Sequence, residues 1–175
     1  MSRSIHTVVP TLETERLILR GWRESDVEGY AELLGKADGA RFIGGPLSAD
    51  DAWRKMATHI GHWSLRGYGS FALEDKQTHA FVGYCGPWYP QGFPEPEIGW
   101  ALLPFARGKK FATEAARRTI QYAFSQLGWT TAISLIAHEN IASIRVAERL
   151  GAVRDGSTEI RSLMCGIYRH PAPSR

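Results

Sequence analysis

The chain has 175 residues, 43% hydrophobic, 22% charged and 11% aromatic, with a formal net charge of +3. That length and composition fit one globular domain over residues 1–175 and exclude a disordered chain, which needs low hydrophobicity and high net charge. There is no run of the roughly 20 apolar residues that span a membrane, no leader-like apolar segment, and no CxxC or metal-ligand spacing around Cys85 and Cys165, so a cytoplasmic protein with free buried thiols is expected, with no metal, no membrane and no nucleic acid.

In chain order, residues 16–20 predict a short strand. Ser25 and Glu28 have the spacing of a capping box and open a helix toward Leu34, which Gly35 ends. After the Gly44-Gly45-Pro46 turn, Ser48 suits the N-cap of a second helix carrying Trp53, Met56, Ile60 and Trp63. His59 and His62 lie three apart on it, a spacing that suits a metal. Without a third ligand they read as solvent-facing polar positions. From Gly69 the apolar period shortens, and residues 70–74, 80–85 and 97–103 read as consecutive strands separated by glycine and proline clusters. The aromatic residues Trp53, Trp63, Tyr68, Trp88, Tyr89 and Trp100 read by default as core.

A basic turn at 107–110 leads into a helix with Ala112, Ala116, Ile120, Ala123 and Leu127 on one stripe, closed by Gly128. Residues 131–137 predict a strand. Asn140 opens a further helix with Ile144, Ala147 and Leu150 on one face and Gly151 at its end. Residues 160–168 predict the last strand. This order suits a mixed α/β sheet with helices on both faces.

Residues 97–115 outline an anion site: strand, Pro104, basic glycine turn, and a helix that opens with small residues. Backbone N–H groups at a helix start have no intrahelical partner and sit at the positive end of the helix dipole, so several can converge on a diphosphate. Gly108 removes a side chain from the turn, Ala112 keeps the first helical turn narrow, and Arg107, Lys109 and Lys110 add charge. An ordinary helix start with exposed lysines has the same pattern. Likewise, Asn140 and Ser143 fit simple helix capping.

E-I-G-W-x-L-x-P at 97–104, R-G-x-x-F-A-T-E-A at 107–115 and N-x-x-S-x-R-x-x-E-x-x-G at 140–151 occur in that order, and together they resemble the GNAT superfamily of N-acetyltransferases. With T-E-R-L-x-L-R at 14–20 and the closing Tyr168-Arg169, the likeness is nearest the branch of ribosomal-protein N-terminal (alanine/serine) acetyltransferases. It implies a GNAT (acyl-CoA N-acyltransferase) fold, with a largely antiparallel mixed sheet of about seven strands and a splayed central strand pair.

The resemblance also implies a site. The pantetheine arm of acetyl-CoA lies between the strand ending at Leu103 and the strand at 131–137. The turn formed by Arg107, Gly108, Lys109, Lys110, Phe111 and Ala112 cradles the pyrophosphate. Asn140 bonds the pantetheine amide, Arg145 or Lys109 reaches an adenosine phosphate, and a backbone N–H near Leu102 or Leu103 stabilises the oxyanion. Glu97 is the implied general base, with an arginine-paired strand-end carboxylate as the alternative. Many superfamily members carry a tyrosine acid where this chain has Ala147, and Ser143 is the implied contact to the coenzyme sulfur in its place.

Lys110 stands where the family usually has a second glycine. Right-handed backbone angles there preserve the N–H cradle, whereas a positive φ places strain in it. The expected reaction is direct attack of a neutral amine on the thioester without a covalent cysteine, in a monomer or homodimer. The acceptor is a protein N-terminus or a small amine such as a polyamine, aminoglycoside or amino acid. A coenzyme-binding, catalytically silent regulator is the alternative, and an RNA- or ribosome-binding module rests only on the basic charge.

Overall fold

A computed structural model describes residues 8–36, 40–160 and 162–173. Its strands are β1 (Leu12–Glu13), β2 (Leu17–Arg20), β3 (Phe71–Asp75), β4 (Phe81–Trp88), β5 (Glu97–Leu102), β6 (Ile133–Ala137), β7 (Val153–Ile160) and β8 (Leu163–Arg169). They form one eight-stranded sheet in the order β1-β2-β3-β4-β5-β6-β8-β7. Every neighbouring pair is antiparallel except β5 and β6. The α-helices among the described residues are α1 (Val27–Gly35), α2 (Ala49–Arg66), α3 (Phe111–Ser125) and α4 (Ile141–Arg149), with short 3-10 turns at Glu24–Asp26 and Pro104–Ala106.

Two apolar layers cover the sheet. Leu17, Leu19, Phe71 and Leu73 pack with Ala112, Ala116, Ile120 and Ala123 of α3 in one cluster. Tyr30, Leu33 and Leu34 of α1 pack with Ala52 and Met56 of α2 in a second, against Phe81, Tyr84 and Ala101. The alternation of side chains along β4 and β5 divides the two layers. Gly83 (φ 144°) lets β4 approach β5, since a Cβ there would lie 2.1 Å from the Ala101 carbonyl oxygen.

Several element starts form as the residues predict. Ser48 Oγ accepts from Asp51 N–H at 3.1 Å to cap α2, and Gly128 and Gly151 take positive φ after α3 and α4. The box predicted at Ser25 and Glu28 does not form. Instead Asp26 accepts from Arg23 N–H at 2.8 Å and from both terminal nitrogens of Arg20 at 2.8 Å. Arg20, Asp26 and Glu74 are all buried, and Arg20 Nε also donates to Glu74 at 2.6 Å. A buried guanidinium needs carboxylates on its fork, and that need places Asp26.

The stripe on α2 also differs from expectation. Met56 and Trp63 are buried, but Trp53 and Ile60 are 55% and 45% exposed, and His59 and His62 face inward at 6% each. Their rings are satisfied there. His59 bonds Tyr30 Oη at 3.0 Å and Ser70 Oγ at 2.6 Å. His62 Nδ1–H donates to the Tyr68 carbonyl at 2.7 Å, and its Nε2 accepts from Tyr89 N–H at 3.2 Å. That pairing fixes a neutral tautomer, and burial pushes the His62 pKa down.

The final strand is a hairpin. β7 and β8 turn around Ser162 (φ 64°), so the predicted strand at 160–168 straddles the turn. β7 is mostly exposed and, with Arg154, Asp155 and Glu159, has the charged character of an edge strand, which carries no apolar alternation to read. The two-residue β1 is the other strand the sequence did not signal, giving eight in place of about seven.

Candidate active site

β5 and β6 share one register pair, Glu97 with Ile133, where Ile133 N–H donates to the Pro96 carbonyl at 3.0 Å. In a continued parallel ladder the next rung would run from Leu135 N–H to the Ile98 carbonyl. Both groups are diverted to side chains. Leu135 N–H donates to Glu97 Oε1 at 3.2 Å, and the Ile98 carbonyl accepts from Ser134 Oγ at 2.6 Å. The strands therefore part after one rung.

Leu103 N–H is bonded to the Val82 carbonyl at 3.0 Å, which rules it out as an oxyanion donor. Alternation along β5 turns the polar backbone groups of Trp100 and Leu102 the other way, into the crevice beside β6. Of these, the Leu102 carbonyl accepts from Arg107 Nε at 3.1 Å. The side chain of Arg107 thus ties the end of β5 to the turn that follows.

The crevice opens into a cavity of about 770 Å³ whose wall includes Glu97, Asn140 and Ser143. Phe42, Gly44 and Gly45, with Trp88 and Trp100, form other parts of the same wall. Asn140 Oδ1 accepts from Ser143 N–H at 3.2 Å, so Asn140 does cap α4, and its NH₂ remains available as a donor. Cys165 also lines the cavity. Burial, helped by the charge of Glu97, pushes its thiol pKa up, and burial takes Cys85 to about 12. Both cysteines are unpaired and hold their protons at neutral pH, which removes the thiolate that covalent catalysis needs.

The turn before α3 reverses with Gly108 at φ 76° and Lys110 at φ 65°. The first bond of α3 runs from Glu114 N–H to the Lys110 carbonyl at 3.1 Å, and the N-cap residue Lys110 makes no side-chain cap. Among the described residues, the successive N–H groups of Gly108, Lys109, Lys110, Phe111, Ala112 and Thr113 have no hydrogen-bond partner. Such a run at the positive end of a helix dipole forms an anion-binding concavity. Glu114 holds this helix end in place, taking Thr14 Oγ1 at 2.6 Å and Arg16 Nε at 2.8 Å from the β1–β2 hairpin.

Lys109 lies over the Phe111 ring at 5.9 Å, and Arg145 is exposed on α4. Beside the turn, an open cleft of about 620 Å³ is lined by Arg16, Lys110, Arg117, Arg118 and Arg149. Lys110 takes the strained alternative, the left-handed region that favours glycine. Lys110→Gly is expected to raise stability by roughly 1 kcal/mol in urea denaturation, because a non-glycine residue there carries conformational strain. An unchanged midpoint would mean that the lysine relaxes elsewhere.

Ser134 and His170 meet at the apex of the crevice, and nothing in the sequence singles them out. His170 is 3% exposed, and its Nε2 lies 2.8 Å from Ser134 Oγ. The one Ser134 proton goes to Ile98, so Nε2–H must be the donor, while Nδ1 is buried without a partner among the described residues. Protonating Nδ1 would bury an unsatisfied cation, and burial lowers the His170 pKa to about 4. The free value is about 6.5, so the unfolded chain takes the proton more readily. Stability from neutral His170 is full above pH ~6.5 and is lost as pH falls toward 4, about 3 kcal/mol in all. Urea midpoints at pH 7 and 4.5 should show the slope, and His170→Asn should flatten it.

Among the described residues there is no group of three or more His, Cys, Asp or Glu placed to hold a metal, and no helix is long and apolar enough to cross a membrane. The chain is 29% identical over 149 residues to the uncharacterized N-acetyltransferase p20 of Bacillus licheniformis, covering 83% of this chain and 84% of that one. The structure superimposes on an acetyltransferase from Agrobacterium tumefaciens with a TM-score of 0.85 and 28% identity, over 98% of this chain and 99% of that one. The ribosomal L7/L12 alpha-N-protein acetyltransferase RimL, solved with coenzyme A, shares the fold at a TM-score of 0.75 and 15% identity, over 92% and 97% of the two chains. Residues 16–153 match the acetyltransferase (GNAT) domain family, and with β5 and β6 parted and a basic glycine turn following β5 into α3, the chain belongs to that family of acetyl-CoA-dependent N-acetyltransferases.

Proposed function

We propose that the chain transfers the acetyl group of acetyl-CoA to the α-amine of a peptide or amino acid by direct attack in a ternary complex. The observation that carries this reading is the run of six N–H groups from Gly108 to Thr113, unpartnered among the described residues, on the turn that follows β5. The diphosphate of the coenzyme fits the N–H run, with Arg107, Lys109 and Lys110 around it and Phe111 and Ala112 at its helix end. Arg145, exposed on α4, would pair with an adenosine phosphate. The pantetheine arm fits between the strands, bonded by the Asn140 NH₂ and by the backbone of Trp100 and Leu102.

With the thioester there, Leu102 N–H or a neighbouring donor meets the developing oxyanion. Glu97, directly or through water, takes the proton from the attacking amine. Ser143 bonds the sulfur of the departing coenzyme thiolate. A free α-amine has a pKa of about 8 against about 10.4 for lysine, so a single carboxylate base suits an α-amine better.

The cavity charge supports the same acceptor. Among the described residues, Arg41, Arg54 and Lys55 line it against Glu97 alone among carboxylates, and the partners of Arg41 and Arg54 are the exposed Glu139 and Asp51. Exposed pairs of this kind are weak and exchange readily. A polyamine or aminoglycoside would meet the charges of Arg41 and Arg54 in the cavity wall, whereas a peptide with an acidic side chain would find partners in them. Thiol release with a panel of peptides, amino acids, polyamines and aminoglycosides tests the reading. Turnover with acidic peptides above polycations is expected. Acetyl-CoA binding without turnover of any amine would instead mark the silent regulator.

A further inference from the structure

We infer that Ser134 is a positioning residue that holds the β5–β6 crevice open by occupying the backbone acceptor that would otherwise close it. This rests on the reading above that the crevice seats the pantetheine arm. The register defines the competition. With Ile133 N–H on the Pro96 carbonyl, the next parallel rung must join Leu135 N–H to the Ile98 carbonyl, and each is bonded instead to a side chain.

The two diversions are not equal. Glu97, half-buried at the strand end, diverts the donor of that rung, Leu135 N–H. Ser134 is 2% exposed, and its bond to the Ile98 carbonyl is the shorter, 2.6 Å against 3.2 Å. His170 Nε2–H, 2.8 Å away, fills the Ser134 acceptor side, so the hydroxyl has one direction left for its proton. His170 is itself pinned, donating its backbone N–H to the Ala132 carbonyl at 2.9 Å. The chain His170 to Ser134 to Ile98 thus sets the strand separation one residue inside the crevice. Without the hydroxyl, the Ile98 carbonyl becomes a buried acceptor in want of a donor, and Leu135 N–H is the nearest group that can supply one. Making that bond brings β6 to ladder spacing, about 4.8 Å from β5, where no ligand fits between them.

The test compares wild type, Ser134→Ala and Ser134→Thr by calorimetry with two probes. One is acetyl-CoA and the other is 3′-phospho-ADP, the coenzyme without its pantetheine arm. The alanine variant should bind acetyl-CoA about tenfold more weakly, about 1.4 kcal/mol, with 3′-phospho-ADP affinity unchanged, and threonine should restore the wild-type value. Equal loss for both probes, or loss of neither, overturns the inference. NMR coupling across the hydrogen bond between Leu135 N and Ile98 C′ should appear in the alanine variant alone, and its absence there also overturns it. Because that coupling needs no ligand, it decides the matter even if wild type binds no coenzyme, a result that would refute the proposed function separately. If the alanine variant does not fold, His170→Leu, which removes the donor that orients the hydroxyl, is read by the same measurements.

Discussion

Glu97→Gln is expected to lower kcat for a peptide acceptor by about 10²- to 10³-fold at pH 7, with the Kd for acetyl-CoA within about twofold of wild type. The glutamine amide oxygen can still accept from Leu135 N–H as Glu97 Oε1 does, so the crevice keeps its shape while the proton acceptor is lost. The deficit should shrink as the pH approaches 9, because an α-amine of pKa about 8 then arrives already deprotonated. Glu97→Ala should add a loss of coenzyme affinity to the loss in kcat, since it removes the Leu135 contact as well. A glutamine variant with wild-type kcat would reduce Glu97 to a strand-end carboxylate with a structural task only.

Arg20→Leu should destabilise the fold by about 3–5 kcal/mol, because it leaves buried Asp26 without a counter-charge and buried Glu74 with the exposed Arg23 at 3.2 Å as its remaining arginine. Asp26 is 2% exposed and Glu74 7%, and both lie within 2.8 Å of the Arg20 guanidinium. The bond from Arg20 holds the Glu74 carboxyl below the ordinary carboxylate range. A depressed folded-state pKa contributes stability above the unfolded value, about 4.3, that disappears as pH falls through the folded value. The leucine variant should therefore be most impaired near neutral pH and gain relative to wild type in acid. For a domain of this size the loss corresponds to a fall in Tm on the order of 10 °C. Adding Asp26→Asn should recover part of it, and an Arg20→Leu protein as stable as wild type would contradict the cluster's role.

Local signals proved good guides where one residue has one task. Ser48, Gly128 and Gly151 mark helix ends, and the alanine stripe of α3 faces the core because small residues recur at helical spacing. Glu97, Asn140 and Ser143 come to one cavity from segments more than forty residues apart in the chain, and only the ordered motifs joined them. What stayed hidden depends on distant partners. His59 and His62 look like surface residues until Tyr30, Ser70, Tyr68 and Tyr89 are brought to them. Asp26, to which the sequence assigns no task, is fixed by the buried Arg20 where a box of Ser25 and Glu28 was expected. Ser134 and His170 lie in no motif, and only the register of β5 against β6 shows what their bonds replace. Lys110 remained open because the sequence names the residue and not its φ.

A crystal structure of the protein grown with acetyl-CoA bears most directly on the account. It should place the diphosphate oxygens within hydrogen-bond distance of the N–H groups between Gly108 and Thr113, and the pantetheine arm between Trp100 and β6. A coenzyme held only by the side chains of Arg117, Arg118 and Arg149, with the turn unengaged and the crevice closed, would contradict it.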